Sequence, residues 1–519
     1  MKTKSSKIKL TIIGIVAIIV IISGIVAAKL WAQKVSTIHQ SLQRFSYILN
    51  LVINDYVKEV NTEELIKSSI EGMLNALDPY SNFLDVDEYK ELKVKTEGEF
   101  GGIGIQIGMR DNVLTVISPI EGTPAYRLGL QAGDKIVKIE GKSTEGYTVQ
   151  DAIKQLRGTP GTKVNISIKR EGVAELLDFT IVREIIKIKS VPYAGKLTSD
   201  IGYVRLADFS KVARTELESA IDSLFTKEKI KKLVFDLRSN SGGLLQEGFE
   251  VTDLFLPPGK TVVIVKGRKP ETRREFVAIE QDKYGEYPLV VLVDRGSASA
   301  SEIVAGAIQD WERGLLIGDT TFGKGSVQTI HPIDENSAVK LTTAYWYTPS
   351  GRCINKPVKT SKAVIEEDTS SKTKQKYFTK GKGRWEVYGE GAIAPDLYMA
   401  YRRYSELETK LISQGIIFDF AVKYLARHKE IKPDFVVTNE MLDELKTMAT
   451  EKKIEFTDSQ FDSVKAYISQ ELEREIKTKL SGTQGDYEVR LKYDEHVKKA
   501  IELLEKAHTN WDLFKMVKK

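Results

Sequence analysis

The chain of 519 residues contains one cysteine, Cys353, which excludes an intramolecular disulfide framework and a cysteine zinc cluster. Histidine is nearly as scarce, with five residues. There is no His-Glu-x-x-His run and no calcium-loop pattern, so neither a metal nor any other cofactor is expected. Proline (14) and glycine (38) are too few for a fibrous or low-complexity chain. Apolar residues make up 41% and charged residues 29%, yet only one long apolar run occurs, which excludes a polytopic membrane protein. At about 100–200 residues per domain, the length allows roughly three or four domains.

The one apolar run, LTIIGIVAIIVIISGIVAA, spans Leu10 to Ala28 without a charge. As a helix it would rise about 28 Å, close to the roughly 30 Å hydrocarbon core of a bilayer. Lys2, Lys4, Lys7 and Lys9 precede it, so residues 1–9 are expected to stay cytoplasmic and the rest to lie across the membrane. A cleavable signal peptide competes, because Ala27 and Ala28 are small, but signal cores usually run about 7–15 residues. An uncleaved single-pass anchor over 10–28 is therefore expected. The charge balance agrees. The formal net charge of +5 arises from 77 basic and 72 acidic residues, and residues 1–29 hold five lysines and no acid. The remainder is neutral overall, which leaves no case for a nucleic-acid partner.

Residues 35–80 carry two helical stripes, Leu42, Phe45, Leu49 and Val52, then Leu65, Ile66, Ile70, Met73, Leu74 and Leu77, with Asn61 as an N-cap for the second. From Ile201 to about Leu397, strands (201–206, 232–238, 261–266, 288–294) alternate with helices (214–226, 243–255, 300–312), the pattern of an α/β layered domain. A polar segment, 359–383, is expected to be an exposed loop. Residues 398–519 are helical and highly charged. Their stripes near 402–427, 440–452, 458–480 and 488–508 fit a domain that wraps the core, docks a partner or forms a homo-oligomer.

The run GEFGGIGIQIG (98–108) lacks the Lys-Ser/Thr pair and the subsequent helix of a phosphate loop. Ile103, Ile105 and Ile107 alternate as a strand instead. A glycine-rich turn entering a strand leaves backbone N–H groups free for a carboxylate, and the strand edge can accept an extended peptide. The turn EGTPAYRLGLQAGDKIVKIEG and the helix VQDAIKQLRG come next. This order resembles a PDZ domain over 98–185, which implies that Gly102, Ile103, Gly104 and Ile105 bind the free C-terminus of a peptide.

A buried strand ending at Asp294 is succeeded by RGSASASEIVAGAIQD, with small residues suited to a tight elbow at a helix N-terminus. On chemistry alone Ser297, Ser299 and Ser301 are all candidate nucleophiles, and Ser301, just before Glu302, fits a capping role best. Two bases are candidates. His331 sits on an expected strand, and Lys324 lies in the tight loop TTFGKGSVQTI between Gly323 and Gly325. A lysine serves as a base when desolvation lowers its pKa.

Taken together, the PDZ with its GGIGI loop, DLRSNSGG (236–243), SASASEI (297–303), GKGSVQ (323–328), LTTAYWYTPSGR (341–352) and GAIAPD (391–396) resemble the C-terminal processing peptidases, or tail-specific serine proteases. The resemblance covers residues 35–400. It implies a ClpP/crotonase-like α/β protease core over 186–397, with cap elements from 81–97, and a serine–lysine dyad. Ser299 would be the nucleophile, Lys324 the base and Gln328 the residue that orients it. Ala300 and Gly243 would donate to the oxyanion, Gly243 being preferred to Gly242, with Ser241 standing where relatives often carry proline. It also implies exported substrates with free C-termini, in a bacterial periplasm or cell envelope. A noncatalytic tail-binding scaffold and a crotonase-type enzyme are the alternatives.

Overall fold

The computed structural model describes residues 37–281, 283–285, 287–356, 376–389 and 391–518. The run expected to anchor the chain, 10–28, lies outside them. Among the described residues no helix is long and apolar enough to cross a membrane. The chain divides into two compact units, one ending at Pro79 and one starting at Tyr80. The first contains a helix over 37–55 and the helix Thr62–Asn75, where the Asn61 side chain accepts the Glu64 N–H at 3.2 Å as the expected N-cap.

The second unit is built around a six-stranded sheet. Its spatial order is Tyr193–Lys196, Ile201–Arg205, Lys232–Asp236, Leu289–Val293, Leu315–Gly318 and Leu397–Tyr398. The first strand is antiparallel to its neighbour and the others run parallel. Parallel strands are covered on both faces and so read as unbroken apolar runs. Accordingly, every residue of LVVLV at 289–293 is buried. One face packs under the helices Ala213–Thr226, Leu245–Asp253 and Ala300–Asp310, through Leu217, Ile221, Phe249, Val304 and Ile308. The other is covered by the helices Glu495–Lys506 and Asn510–Val517, through Val497, Ala500, Leu504, Leu513 and Phe514. The end of the chain is therefore core, and of the roles open to it in the sequence, wrapping the core is the one seen in these two helices.

The strand Thr261–Gly267 does not join this sheet as simple alternation suggested. It pairs antiparallel with Arg274–Val277 and with the long strand Ala338–Tyr347, which also pairs with Asn82–Leu84 and Ser326–Pro332. Residues 98–185 form a second sheet module, with strands Ile105–Arg110, Val113–Pro119, Lys135–Ile139, Lys163–Lys169 and Leu177–Val182 in that order. The helix Val149–Leu156 packs on it, opened by a Thr148–Asp151 capping box. Helices Glu406–Ser413, Ile416–Arg427, Asn439–Glu451 and Asp458–Tyr493 have their own core of Leu411, Phe420, Leu445, Phe461, Ile468 and Leu472. The last of these is interrupted at Ser481 and Gly482. The stripe expected over 488–508 is split by Asp494, whose carboxylate accepts the N–H groups of His496 and Val497 and starts a new helix. Of the expected loop 359–383, residues 376–383 belong to a small hairpin, Tyr377–Phe378 with Glu386–Val387, and the rest lies outside the described residues.

Candidate active site

Three loops leave the C-terminal ends of three adjacent parallel strands: 237–243 after Lys232–Asp236, 294–299 after Leu289–Val293, and 319–325 after Leu315–Gly318. The carboxyl edge of a parallel sheet is where such folds hold ligands. These loops carry Gly243, Ser299 and Lys324. Topology, not sequence spacing, thus brings them to one edge.

Ser299 has φ 55° and ψ −113°, a strained conformation for a residue with a Cβ, and it is the N-cap of the fully buried helix Ala300–Asp310. The structure corrects the assignment of Ser301 as the cap. Ser301 lies inside the first turn, and its hydroxyl donates to the Asn240 carbonyl at 2.8 Å. The Ser297 hydroxyl donates to the Leu237 carbonyl at 2.9 Å. Both are fully buried and both serve the fold, whereas Ser299 is partly exposed. The strain at Ser299 is sustained by a tight fit. A Cβ on Gly242, which has φ 95°, would lie 2.7 Å from the Ala298 carbonyl oxygen and 2.8 Å from the Ser299 Cβ. The Gly242 N–H is committed to the Asn240 side chain at 2.9 Å. The N–H groups of Gly243 and Ala300 have no hydrogen-bond partner among the described residues, and Gly243 is exposed.

Glu302 joins the serine to the lysine loop. Its carboxylate, fully buried, accepts the Ser299 N–H at 2.8 Å, the Lys324 N–H at 2.9 Å, the Gly323 N–H at 2.6 Å and the Thr321 hydroxyl at 2.6 Å. Burial pushes its pKa above the usual carboxylate range, and those four donors oppose the rise. Ser299 and Lys324 share one acceptor atom, Oε2. The sequence did carry a signal for this residue, since Ser-x-x-Glu is the capping-box spacing. Gly323, at φ 92°, is required because a Cβ there would strike the Gly391 carbonyl oxygen at 2.2 Å. The Trp346 indole donates to the Lys324 carbonyl at 3.2 Å. Gln328 pairs across the sheet with Thr342, and its amide donates to the hydroxyls of Ser326 (3.0 Å) and Thr342 (3.3 Å). His331 is exposed, close to the turn 333–337.

The other motifs turn out to anchor this edge. Asp236 is buried against the Tyr203 hydroxyl (2.7 Å), Arg205 (3.1 Å) and Arg238 (2.6 Å), and Arg238 continues to Asp494 at 2.7 Å. Burial alone would raise the Asp236 carboxyl, but the two guanidiniums outweigh it and hold it at about 2. Arg352 of the Thr-Pro-Ser-Gly-Arg turn is buried against Asp310 at the end of the serine helix. Asp396 of the Gly-Ala-Ile-Ala-Pro-Asp motif accepts the Leu316 N–H at 2.9 Å.

In the second sheet module, Ile105–Arg110 is an edge strand, paired among the described residues with Val113–Pro119 alone. Gly102 ends a strand paired with Glu184–Lys187. Ile103 is buried, and Gly104, at φ 80°, accepts from the Ile120 N–H and the Thr123 hydroxyl. The N–H groups of Ile103 and Gly104 have no partner among the described residues.

Family models match four stretches: Peptidase family S41 over 200–368, a PDZ domain over 115–170, the activating protease CtpB N-terminal domain over 26–88, and a probable PDZ-protease C-terminal helical domain over 407–460 and 457–504. A carboxy-terminal-processing protease of Bartonella bacilliformis is 44% identical over 66% of this chain and 80% of its own. The carboxy-terminal processing protease CtpA of Bacillus subtilis is 31% identical over 85% of this chain and 93% of its own. The carboxy-terminal processing protease CtpB of Bacillus subtilis is 35% identical over 63% of this chain and 68% of its own.

Proposed function

This chain belongs to the carboxy-terminal processing proteases, serine peptidases of family S41 with a PDZ domain, and from that membership we propose that it cuts exported proteins at or near their C-termini with a Ser299–Lys324 dyad. The single observation that carries the residue assignment is the shared bond of both backbones to the buried Glu302 carboxylate. Neutral Lys324 takes the Ser299 proton as the hydroxyl oxygen attacks the peptide carbonyl. The oxyanion is held by the N–H groups of Ala300 and Gly243, which are otherwise unoccupied among the described residues. The lysine then returns the proton to the leaving amine. Water, deprotonated by the neutral lysine, then attacks the acyl group, and the lysine returns that proton to the Ser299 oxygen as the acid leaves. Gln328 orients the lysine.

The open edge of Ile105–Arg110 and the free N–H groups of Ile103 and Gly104 support capture of a substrate's C-terminal strand and carboxylate by residues 102–105. The run 10–28, with its lysines before it, supports a membrane tether with the catalytic part outside the cytoplasm.

The test uses an unstructured protein substrate with an apolar C-terminus. Ser299→Ala should abolish cleavage and leave the melting temperature unchanged. Lys324→Arg should be nearly inactive, because a guanidinium does not give up its proton. Near-wild-type cleavage by either variant would sink the dyad. A substrate amidated at its C-terminus should be captured less well than the free acid, and equal capture would reject the carboxylate site.

A further inference from the structure

We propose that Tyr80 is a positioning residue for the active-site lysine, presenting its ring face to the ammonium that forms when Ser299 gives up its proton. The proposal rests on the serine–lysine reading above. The Lys324 Nζ lies over the Tyr80 ring, 4.9 Å from its centre. That is within the roughly 6 Å over which a ring face attracts a cation. The next residue, Ser81, is fully buried and accepts the Thr342 N–H at 3.1 Å, and the Thr342 hydroxyl accepts from the Gln328 amide at 3.3 Å. One dipeptide therefore reaches both the lysine and the strand that carries its proposed orienting glutamine.

The strand and helix after Tyr80 fix its place. Asn82–Leu84 pair antiparallel with Ala338–Lys340, Leu84 is buried, and Asp85 caps the helix Val86–Glu97 that leads to the PDZ domain. Tyr80 thus comes from the segment before the PDZ domain, within the stretch 26–88 that matches the activating protease CtpB N-terminal domain and not within 200–368.

As the serine attacks, positive charge appears on Lys324 while negative charge appears on the carbonyl oxygen. A ring face stabilises the ammonium and not the neutral amine, so Tyr80 favours the transition state over the ground state. Other charged groups on or against the lysine loop include Glu302, which accepts the Lys324 N–H, Lys356, whose N–H donates to the Gly323 carbonyl and whose stem lies against Gly323, and Asp319, which pairs with Arg295 at 2.7 Å.

The experiment measures kcat and KM against pH for the full chain and for Tyr80→Phe and Tyr80→Leu, with Lys324→Ala as control. Tyr80→Leu should lose about tenfold in kcat with KM unchanged, and the acid limb of its profile should move about one pH unit lower, because the ammonium has lost its ring. Tyr80→Phe should stay within about twofold of wild type. An unmoved acid limb in Tyr80→Leu, or Tyr80→Phe as impaired as Tyr80→Leu, would overturn the proposal. If the leucine variant fails to fold, mono-, di- and trifluorinated phenylalanines at position 80 keep the shape and weaken the ring face stepwise. The acid limb should then fall with each fluorine, and a constant limb rejects the role. An active Lys324→Ala would instead sink the dyad itself.

Discussion

The catalytic edge and the PDZ domain are fastened by different kinds of charge. Beneath the catalytic loops, Asp236 sits among Tyr203, Arg205 and Arg238, with Asp236 and both guanidiniums largely out of water. The PDZ domain has one buried pair of its own, Arg170–Asp134 at 2.7 Å, but the pairs at its periphery are wet. Lys154–Asp87 is about 60% exposed on both sides, Arg127–Glu184 is 50% exposed on both, and Lys452 meets Asp111, itself 60% exposed, at 2.7 Å. Exposed pairs contribute roughly 0–1 kcal/mol each, while breaking a buried one costs about 3–5 kcal/mol. The difference teaches that the sheet edge beneath the candidate active-site loops is fastened by buried charge, whereas the periphery of the PDZ domain is held by pairs that water and salt can weaken.

Three experiments press on that contrast. The largest effect is expected at Asp236. Asp236→Asn strands two buried guanidiniums and should lower the stability measured by urea unfolding by about 3–5 kcal/mol. Acid does the same gradually. The Asp236 carboxyl titrates at about 2 in the folded chain against 3.8 in the unfolded one. Its contribution, roughly 2 kcal/mol, is therefore complete above pH 3.8 and is lost as pH falls towards 2. A wild-type urea midpoint that does not fall across that window would contradict the buried pairing.

Next comes Glu302. In Glu302→Gln only one acceptor oxygen remains, so the NH2 must face either the Ser299 and Lys324 N–H groups or the Gly323 N–H, and the joint between the serine and the lysine loop is weakened. Cleavage should drop about 100-fold in kcat with KM little changed. A variant with wild-type kcat would show that the tie is not needed. The smallest effect is expected at Lys452, which spans Asp111 and Asp419. Lys452→Ala should change stability by less than about 1 kcal/mol, and added salt should erase even that. A loss of several kcal/mol would mean that the PDZ domain is locked as firmly as the core.

Much of the site was legible in the sequence because its parts are local. Small residues around Ser299, glycines around Lys324 and the alternating isoleucines after Gly102 each announce a turn or an edge. Glu302 was passed over as an ordinary neighbour of a cap, since its partners lie in a loop that only folding brings near. Ser301 was misassigned for a related reason. Serine favours both a cap and a first-turn position, and only the Asn240 carbonyl decides which one this serine fills. The strand Thr261–Gly267 looked like its parallel neighbours because apolar β-branched runs suit either sheet.

By itself the sequence determined the element types, the glycine positions that no side chain can occupy, and the residues able to act as nucleophile and base, all of which come from backbone sterics and side-chain chemistry. Only the tertiary structure decided which loops share an edge, that the last helices complete the core, and that Tyr80 faces Lys324. Those relations join residues from 25 to more than 200 positions apart, and it is strand order and burial, not local preference, that bring them together.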